Sequence, residues 1–332
     1  MKKILFIFLC LLLIGCGKNN KDVFNEIEKK NNSLNSYSLK GELSMYNGDN
    51  KYTYNVDVKY KKDSSYRVSL INTVNNHEQI ILRNDDGVFV LTPSLNKSFK
   101  FQSDWPYNNS QVYILDRLVN DIDEDDERKD ENKDDLHIFT SKVVYSTNSD
   151  LVKQKVYFDS SYLLKKVEVL NNKDEITMEF NVTSFDENSN IDEKIFKLDN
   201  NIDTNKSDNE EKSDATVSNT IKDIIYPMYL PNNTYLTSQN KVDKDNGERV
   251  ILSFGGDKSF TLIEETISVG KEMDINLTYG EPDLIIDTVG SINDYEINWV
   301  SGNIEYSLVS DSLDKNELVS VAKSITSNSI TK

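Results

Sequence analysis

Lys51-Tyr52-Thr53-Tyr54-Asn55-Val56-Asp57-Val58-Lys59-Tyr60 alternates polar and apolar side chains along its length. A period of two is that of a strand with one face on a core and the other in water. Tyr52, Tyr54, Val56, Val58 and Tyr60 form the inward set, and aromatic and β-branched residues suit a pleated surface. Working outward, strand-like runs recur at Tyr66–Ile71, Gln79–Leu82, Val88–Leu91 and Ser98–Gln102. They resume at Ile138–Tyr145, Val152–Phe158, Leu164–Leu170 and Ile176–Val182. Asn47-Gly48 and Asp86-Gly87 are turn signals between them. Two helical patterns interrupt the strands. One runs from Asp22 to Leu34 with Val23, Phe24, Ile27 and Leu34 on one side. The other spans Ser110 to Ile122 with Val112, Leu115, Leu118, Val119 and Ile122 at helical spacing. Many consecutive strands with few helices predict an α+β, mostly antiparallel fold, with residues 22–198 forming one large curved sheet or an open barrel.

Residues 199–220 are rich in Asp, Glu, Asn and Ser and read as an acidic, flexible linker, because so few apolar groups cannot offset the entropy of ordering. Residues 221–332 then form a smaller α+β unit. Its strands are expected at Val250–Phe254, Phe260–Ile263, Asp274–Thr278, Glu296–Val300 and Ile304–Val309. A closing helix follows. Asp314 with Glu317 three residues on is a capping box, and Leu318, Val321, Ala322 and Ile325 form its stripe.

The first residues have a different purpose. Lys2 and Lys3 precede an apolar run from Ile4 to Ile14 that rises about 16 Å as a helix, short of the roughly 30 Å hydrocarbon core. This is a secretory signal, residues 1–15. It ends in Leu13-Ile14-Gly15-Cys16, which resembles a bacterial lipobox, so Cys16 is expected to carry lipid, with residues 16–21 as a spacer. The predicted location is the extracytoplasmic face of the cell membrane, held through Cys16. Cleavage removes Cys10 and lipid occupies Cys16, which leaves no thiol for a disulfide. The chain carries 38 Lys+Arg against 56 Asp+Glu, a net −18, and loss of Lys2 and Lys3 makes it −20. Such a surface repels polyanions, and nucleic acid is excluded as a partner.

Catalytic patterns are sparse. His77 falls in a hairpin loop and His137 begins a strand, and both read as surface residues rather than a metal pair. The sequence holds no Gly-x-Ser-x-Gly, His-Glu-x-x-His or phosphate-cradling glycine loop. Asp121 to Asp135 is strongly acidic but lacks the order of a calcium loop, and reads as a solvated, mobile loop. The expectation is a non-enzyme with no metal and no cofactor.

The feature that stands out is Lys97-Ser98-Phe99-Lys100-Phe101-Gln102-Ser103-Asp104-Trp105-Pro106, basic and aromatic in an acidic chain. Its default role is structural, with Trp105 plugging one end of the sheet and Pro106 setting the turn. The alternative makes Lys97, Phe99, Phe101 and Trp105 the residues that contact a ligand or partner. With the lipidated N-terminus, the helix and the run of strands, this segment resembles the LolA/LolB-like lipoprotein carriers. Within them it is most similar to the sporulation and germination lipoproteins of spore-forming Gram-positive bacteria (the YdcC and GerS type). Tyr157-Phe158-Asp159, Val167-Glu168-Val169 and Asn190-Ile191-Asp192 add to the likeness, which covers Asp22 to Leu198. Residues Tyr279-Gly280-Glu281-Pro282 and Trp299 resemble a small domain that often follows such lipoproteins. The resemblance implies that residues 22–198 form a curved, half-open barrel with helices across its mouth, in a protein at the cell membrane or in the spore envelope. It further implies either a groove that shelters an acyl chain or lipid, as in a carrier or chaperone of envelope maintenance, or a cortex-processing protein as partner in sporulation or germination.

Overall fold

The computed structural model describes residues 20–325 except 49, 64, 108, 146–147, 202–218, 268–273 and 286–287. The signal, Cys16 and most of the linker therefore lie outside the described residues.

Helix α1 (Asn20–Ser33) leads into β1 (Ser36–Asn47), β2 (Asn50–Lys61), β3 (Ser65–Asn72), β4 (Glu78–Asn84), β5 (Gly87–Thr92) and β6 (Lys97–Gln102). After α2 (Leu115–Asp123) come β7 (Lys129–Lys133), β8 (Leu136–Lys142), β9 (Leu151–Phe158), β10 (Leu164–Asn171) and β11 (Ile176–Asp186). The remaining strands are β12 (Thr234–Lys244), β13 (Gly247–Gly256), β14 (Phe260–Thr266), β15 (Asp274–Tyr279), β16 (Glu281–Ile285), β17 (Thr288–Ile292), β18 (Glu296–Ser301) and β19 (Ile304–Val309), before α3 (Lys315–Lys323). They build two open sheets rather than closed barrels. A 12-stranded sheet runs β15-β6-β5-β4-β3-β2-β1-β11-β10-β9-β8-β7, and a 7-stranded sheet runs β12-β13-β14-β19-β18-β17-β16.

The alternating stretch behaves as its period demands. Tyr54, Val56 and Val58 of β2 are buried, and β2 pairs with β1 from Ser36↔Lys61 to Asn47↔Asn50. The turn between them uses Gly48 at φ +58°, where a Cβ is disfavoured. On the inner face, Phe24 and Ile27 of α1 and Leu115, Leu118 and Ile122 of α2 join Leu39, Leu43, Val68, Val156, Val167 and Phe180 in one core. The other face carries a small satellite of Ile80, Leu82, Phe89 and Leu91, with Leu198 packed on it.

Several expectations are corrected. Residues 110–114 are not helical, because Ser110 is tied to Val144, donating its N–H at 3.0 Å and accepting the Val144 N–H at 3.0 Å on its hydroxyl. Helix α2 therefore starts only at Leu115. The acidic stretch is not one loose loop: it includes the end of α2 and all of β7. Asp125 anchors it by accepting the Glu127 and Lys142 N–H groups at 3.0 and 2.8 Å. Strands β1, β7, β12, β16 and β17 were not legible in the alternation. The half-barrel becomes an open sheet whose edge is completed from the far end of the chain. There β15 pairs parallel to β6, from Asp274↔Lys97 to Tyr279↔Gln102.

The two sheets share contacts. Ile267, Leu284, Val289 and Val300 of the later segment belong to the core of the large sheet. Gln79 of β4 donates to the Val289 carbonyl at 3.2 Å and accepts from the Thr288 hydroxyl at 3.1 Å. In the smaller sheet, Trp299 and Tyr306 stack at 5.0 Å, and α3 adds Leu318, Val321 and Ala322 to their core. Its capping box forms as read, with Asp314 accepting from the Glu317 N–H and Glu317 from the Asp314 N–H.

Candidate functional site

The four candidate residues of the Lys97–Pro106 segment are all buried, while Gln102 and Asp104 between them stay exposed. Phe99 and Phe101 point from β6 into the core, and Trp105 has no exposed surface. Lys97 is buried too, paired with Glu305 of β19 and 3.9 Å from Asp274 of β15. None of the four offers a free side chain to a partner. Trp105 sits at the end of an aromatic chain in which Tyr37–Tyr60 and Tyr60–Tyr66 centroids are 4.9 Å apart and Tyr66–Trp105 5.9 Å. Asp116 of α2 accepts the Tyr66 hydroxyl at 2.6 Å. Burial, with the Asp116 charge adding to it, raises the Tyr37, Tyr60 and Tyr66 phenols far above their usual value, so they stay neutral donors and not phenolate nucleophiles. Arg83 clamps the segment by donating to the Asp104 and Trp105 carbonyls. The Trp105–Pro106 peptide bond is cis.

The histidines are apart in role. His77 lies between β3 and β4, half-buried, and burial lowers its pKa. His137 on β8 places Nδ1 2.6 Å from the Asn132 amide oxygen. Among the described residues no group of three His, Cys, Asp or Glu side chains is placed to hold a metal.

Open surface lies elsewhere. Between α1 and the large sheet, bounded by Ile27, Leu115, Phe158 and Phe185, the free space is about 10 Å³. A cleft of about 430 Å³ opens instead where the β1–β2 hairpin, the 148–150 turn and α3 meet. Beside it the chain from Tyr226 to Leu230 runs with exposed apolar side chains, Met228 being 83% exposed. It is tied to α3 by the Met228 N–H on the Ser324 carbonyl at 3.2 Å and to β12 by the Tyr226 hydroxyl on Gln239 at 2.5 Å. Tyr235 and Leu236 on β12, an edge strand exposed on both faces, extend this apolar surface. A narrower stripe of Ile275, Leu277 and Tyr279 runs along β15. The sequence reading missed both surfaces. The one signal available was Tyr226-Pro227-Met228-Tyr229-Leu230-Pro231, a hydrophobic run bounded by prolines that cannot continue a strand.

Residues 1–196 match the family described as sporulation protein YdcC-like. The chain is also 35% identical over 317 residues to the sporulation protein YdcC of Bacillus subtilis (strain 168), covering 95% of this chain and 93% of that protein. The chain belongs to the YdcC-like sporulation protein family. The likeness to the Bacillus protein takes in both sheets, so the smaller sheet is shared with that relative. Solved structures similar to this YdcC-like chain include MucB in the Pseudomonas aeruginosa MucA/MucB complex, at 12% identity and TM-score 0.34 over 91% of this chain and 96% of that one. The GerS lipoprotein complex with the CwlD amidase of Clostridioides difficile is another, at 16% identity and TM-score 0.28 over 53% of this chain and 96% of that chain. A putative outer membrane lipoprotein-sorting domain of Vibrio parahaemolyticus gives 14% identity and TM-score 0.34 over 55% and 99%. Overlap at these scores carries no functional argument.

Proposed function

We propose that this YdcC-like protein is a non-catalytic sporulation factor, tethered through Cys16 to the outer face of the cytoplasmic membrane or within the spore envelope. It acts by docking a protein partner. The observation that carries this reading over lipid carriage is the packing of both helices on the large sheet: Phe24, Ile27, Leu115, Leu118 and Ile122 share one core with it, and the gap beside Ile27, Leu115, Phe158 and Phe185 is about 10 Å³, roughly what a single water needs. An acyl chain would have to displace Phe24, Ile27 and Leu118 from the core. The exposed apolar surface at Tyr226–Leu230 and β12 is instead of the kind that marks protein contacts. A β12 edge also presents unpaired backbone groups to an added strand. The net charge of −18 favours a partner with a basic rim.

The Cys16→Ser chain, expected in the soluble fraction and not in membranes, is the material for the test. Native mass spectrometry should show its bare mass. Capture from sporulating-cell extract should return a protein that Met228→Asp with Leu236→Asp fails to capture. A lipid adduct stripped by organic solvent would return the function to the carrier reading.

A further inference from the structure

The strap that carries Tyr226–Leu230 is held by carboxylates rather than by strand pairing. Residues 221–231 form no helix or strand, and two of their backbone N–H groups end on glutamate side chains. The Ile221 N–H donates to Glu248 of β13 at 2.7 Å, and the Ile225 N–H donates to Glu264 of β14 at 2.9 Å. The two acceptors differ. Glu248 also pairs with Lys241 at 2.7 Å, and Lys241 together with the Ile221 N–H holds its carboxyl below the usual range, so it stays charged. Glu264 has no exposed surface, and its second carboxylate oxygen has no partner among the described residues. Its cross-strand neighbours are Val250 and Tyr306, and Ile221, Ile224 and Ile225 of the strap pack on the same core.

The charged groups around Glu264 are engaged elsewhere or exposed. Glu265, next along β14, takes Lys244 of β12 and Arg249 of β13, while Glu305 of β19 takes Lys97. On α3, Glu317 holds Lys258, and Lys323 feels the Asp283 carboxylate. Lys222 and Asp223 of the strap are exposed. Burial therefore dominates at Glu264, the Ile225 N–H offsets only part of it, and the pKa rises from 4.5 to about 7. An ionised Glu264 regains water only if something covering it moves. Strand ladders hold β13 and β19 on either side, whereas the strap has only scattered bonds, the Met228 N–H on Ser324 and the Tyr226 hydroxyl on Gln239 among them. We propose that Glu264 is a proton-operated latch: protonated, it keeps the 224–230 strap seated on the smaller sheet, and ionised, it favours the strap lifting away. The proposal rests on the docking reading for its purpose, since the seated strap presents Tyr226, Met228, Tyr229 and Leu230 together.

Below pH 4.5 the carboxyl keeps its proton whether the strap is seated or lifted. Between 4.5 and about 7 only the seated strap keeps it, so lifting gains as pH rises, and the gain levels off above 7. Hydrogen exchange read by mass spectrometry on the Cys16→Ser chain tests this, with rates divided by those of an unstructured peptide of the same residues. Protection over residues 221–231 should fall by about fiftyfold from pH 5 to pH 8, while the β1–β2 hairpin of the other sheet keeps its own. Glu264→Gln keeps the acceptor and cannot ionise, and its strap should be equally protected at both pH values. No partner is present in this assay, so its outcome is separate from that of the capture experiment, which decides docking. The latch is overturned if strap protection in the parent is flat with pH, if it falls in step with the β1–β2 hairpin, or if Glu264→Gln reproduces the fall.

Discussion

Glu264 on β14 is fully buried, with one carboxylate oxygen accepting the Ile225 N–H at 2.9 Å and the other without a partner among the described residues. Burial pushes its pKa from 4.5 up to about 7. Between those values the folded chain holds a proton that the unfolded chain has lost, so stability falls as pH rises through this window and the full cost is present above it. Glu264→Gln keeps the acceptor and removes the charge. Its advantage over the parent in denaturant unfolding should be about 2–3 kcal/mol larger at pH 8 than at pH 4. An equal gap at both pH values would show that Glu264 ionises as readily in the fold as outside it. At this scale the sequence was a poor guide to sites. Lys97, Phe99, Phe101 and Trp105 drew notice by composition, yet tertiary packing decided their surroundings: Lys97 is buried beside Asp274 and Glu305, and Phe99, Phe101 and Trp105 lie in the core of the large sheet.

Strands were read where alternation was clean and lost where it was not. Strand β1 contains Gly41 at a bulge, with the pairing to β11 shifting between Lys40 and Gly41, which interrupts the pattern. The glycine is needed: a Cβ there would lie 2.5 Å from the Asn181 carbonyl oxygen and 2.5 Å from the Phe180 ring. Gly41→Ala must therefore move β11 or the Phe180 side chain, and thermal and denaturant unfolding should show a loss of about 1–3 kcal/mol. A loss below a few tenths of that would mean the bulge relaxes without disturbing Phe180. Strand β12 was missed for the opposite reason, since both its faces meet solvent and its polar run carries no period of two. The 110–114 segment shows tertiary bonding to Val144 overriding a helical spacing.

The whole molecule is joined more tightly than its acidic middle suggests. Strand β15 forms the edge of the large sheet beside β6, Glu305 neutralises the buried Lys97, and Gln79 is satisfied by residues 288 and 289. A chain ending at residue 218 would leave the β6 edge open and Lys97 without its acidic partners. Such a truncation should melt at least about 10 °C lower and aggregate through that edge, since several interactions of about 1–3 kcal/mol are lost together. Light scattering and calorimetry against the full chain would check this. A truncation as stable and monomeric as the parent would mean the two sheets fold independently.

The order of residues by itself determined the β-rich class, the two principal helical stripes and the capping box at Asp314, because each is written in local periodicity or short spacing. The tertiary structure decided which faces meet. The parallel β15–β6 edge, the packing of both helices on the large sheet and the cleft between the β1–β2 hairpin and α3 all join residues far apart in the chain. Contacts of that kind are fixed by packing and burial across the fold, and no pattern within one element encodes them.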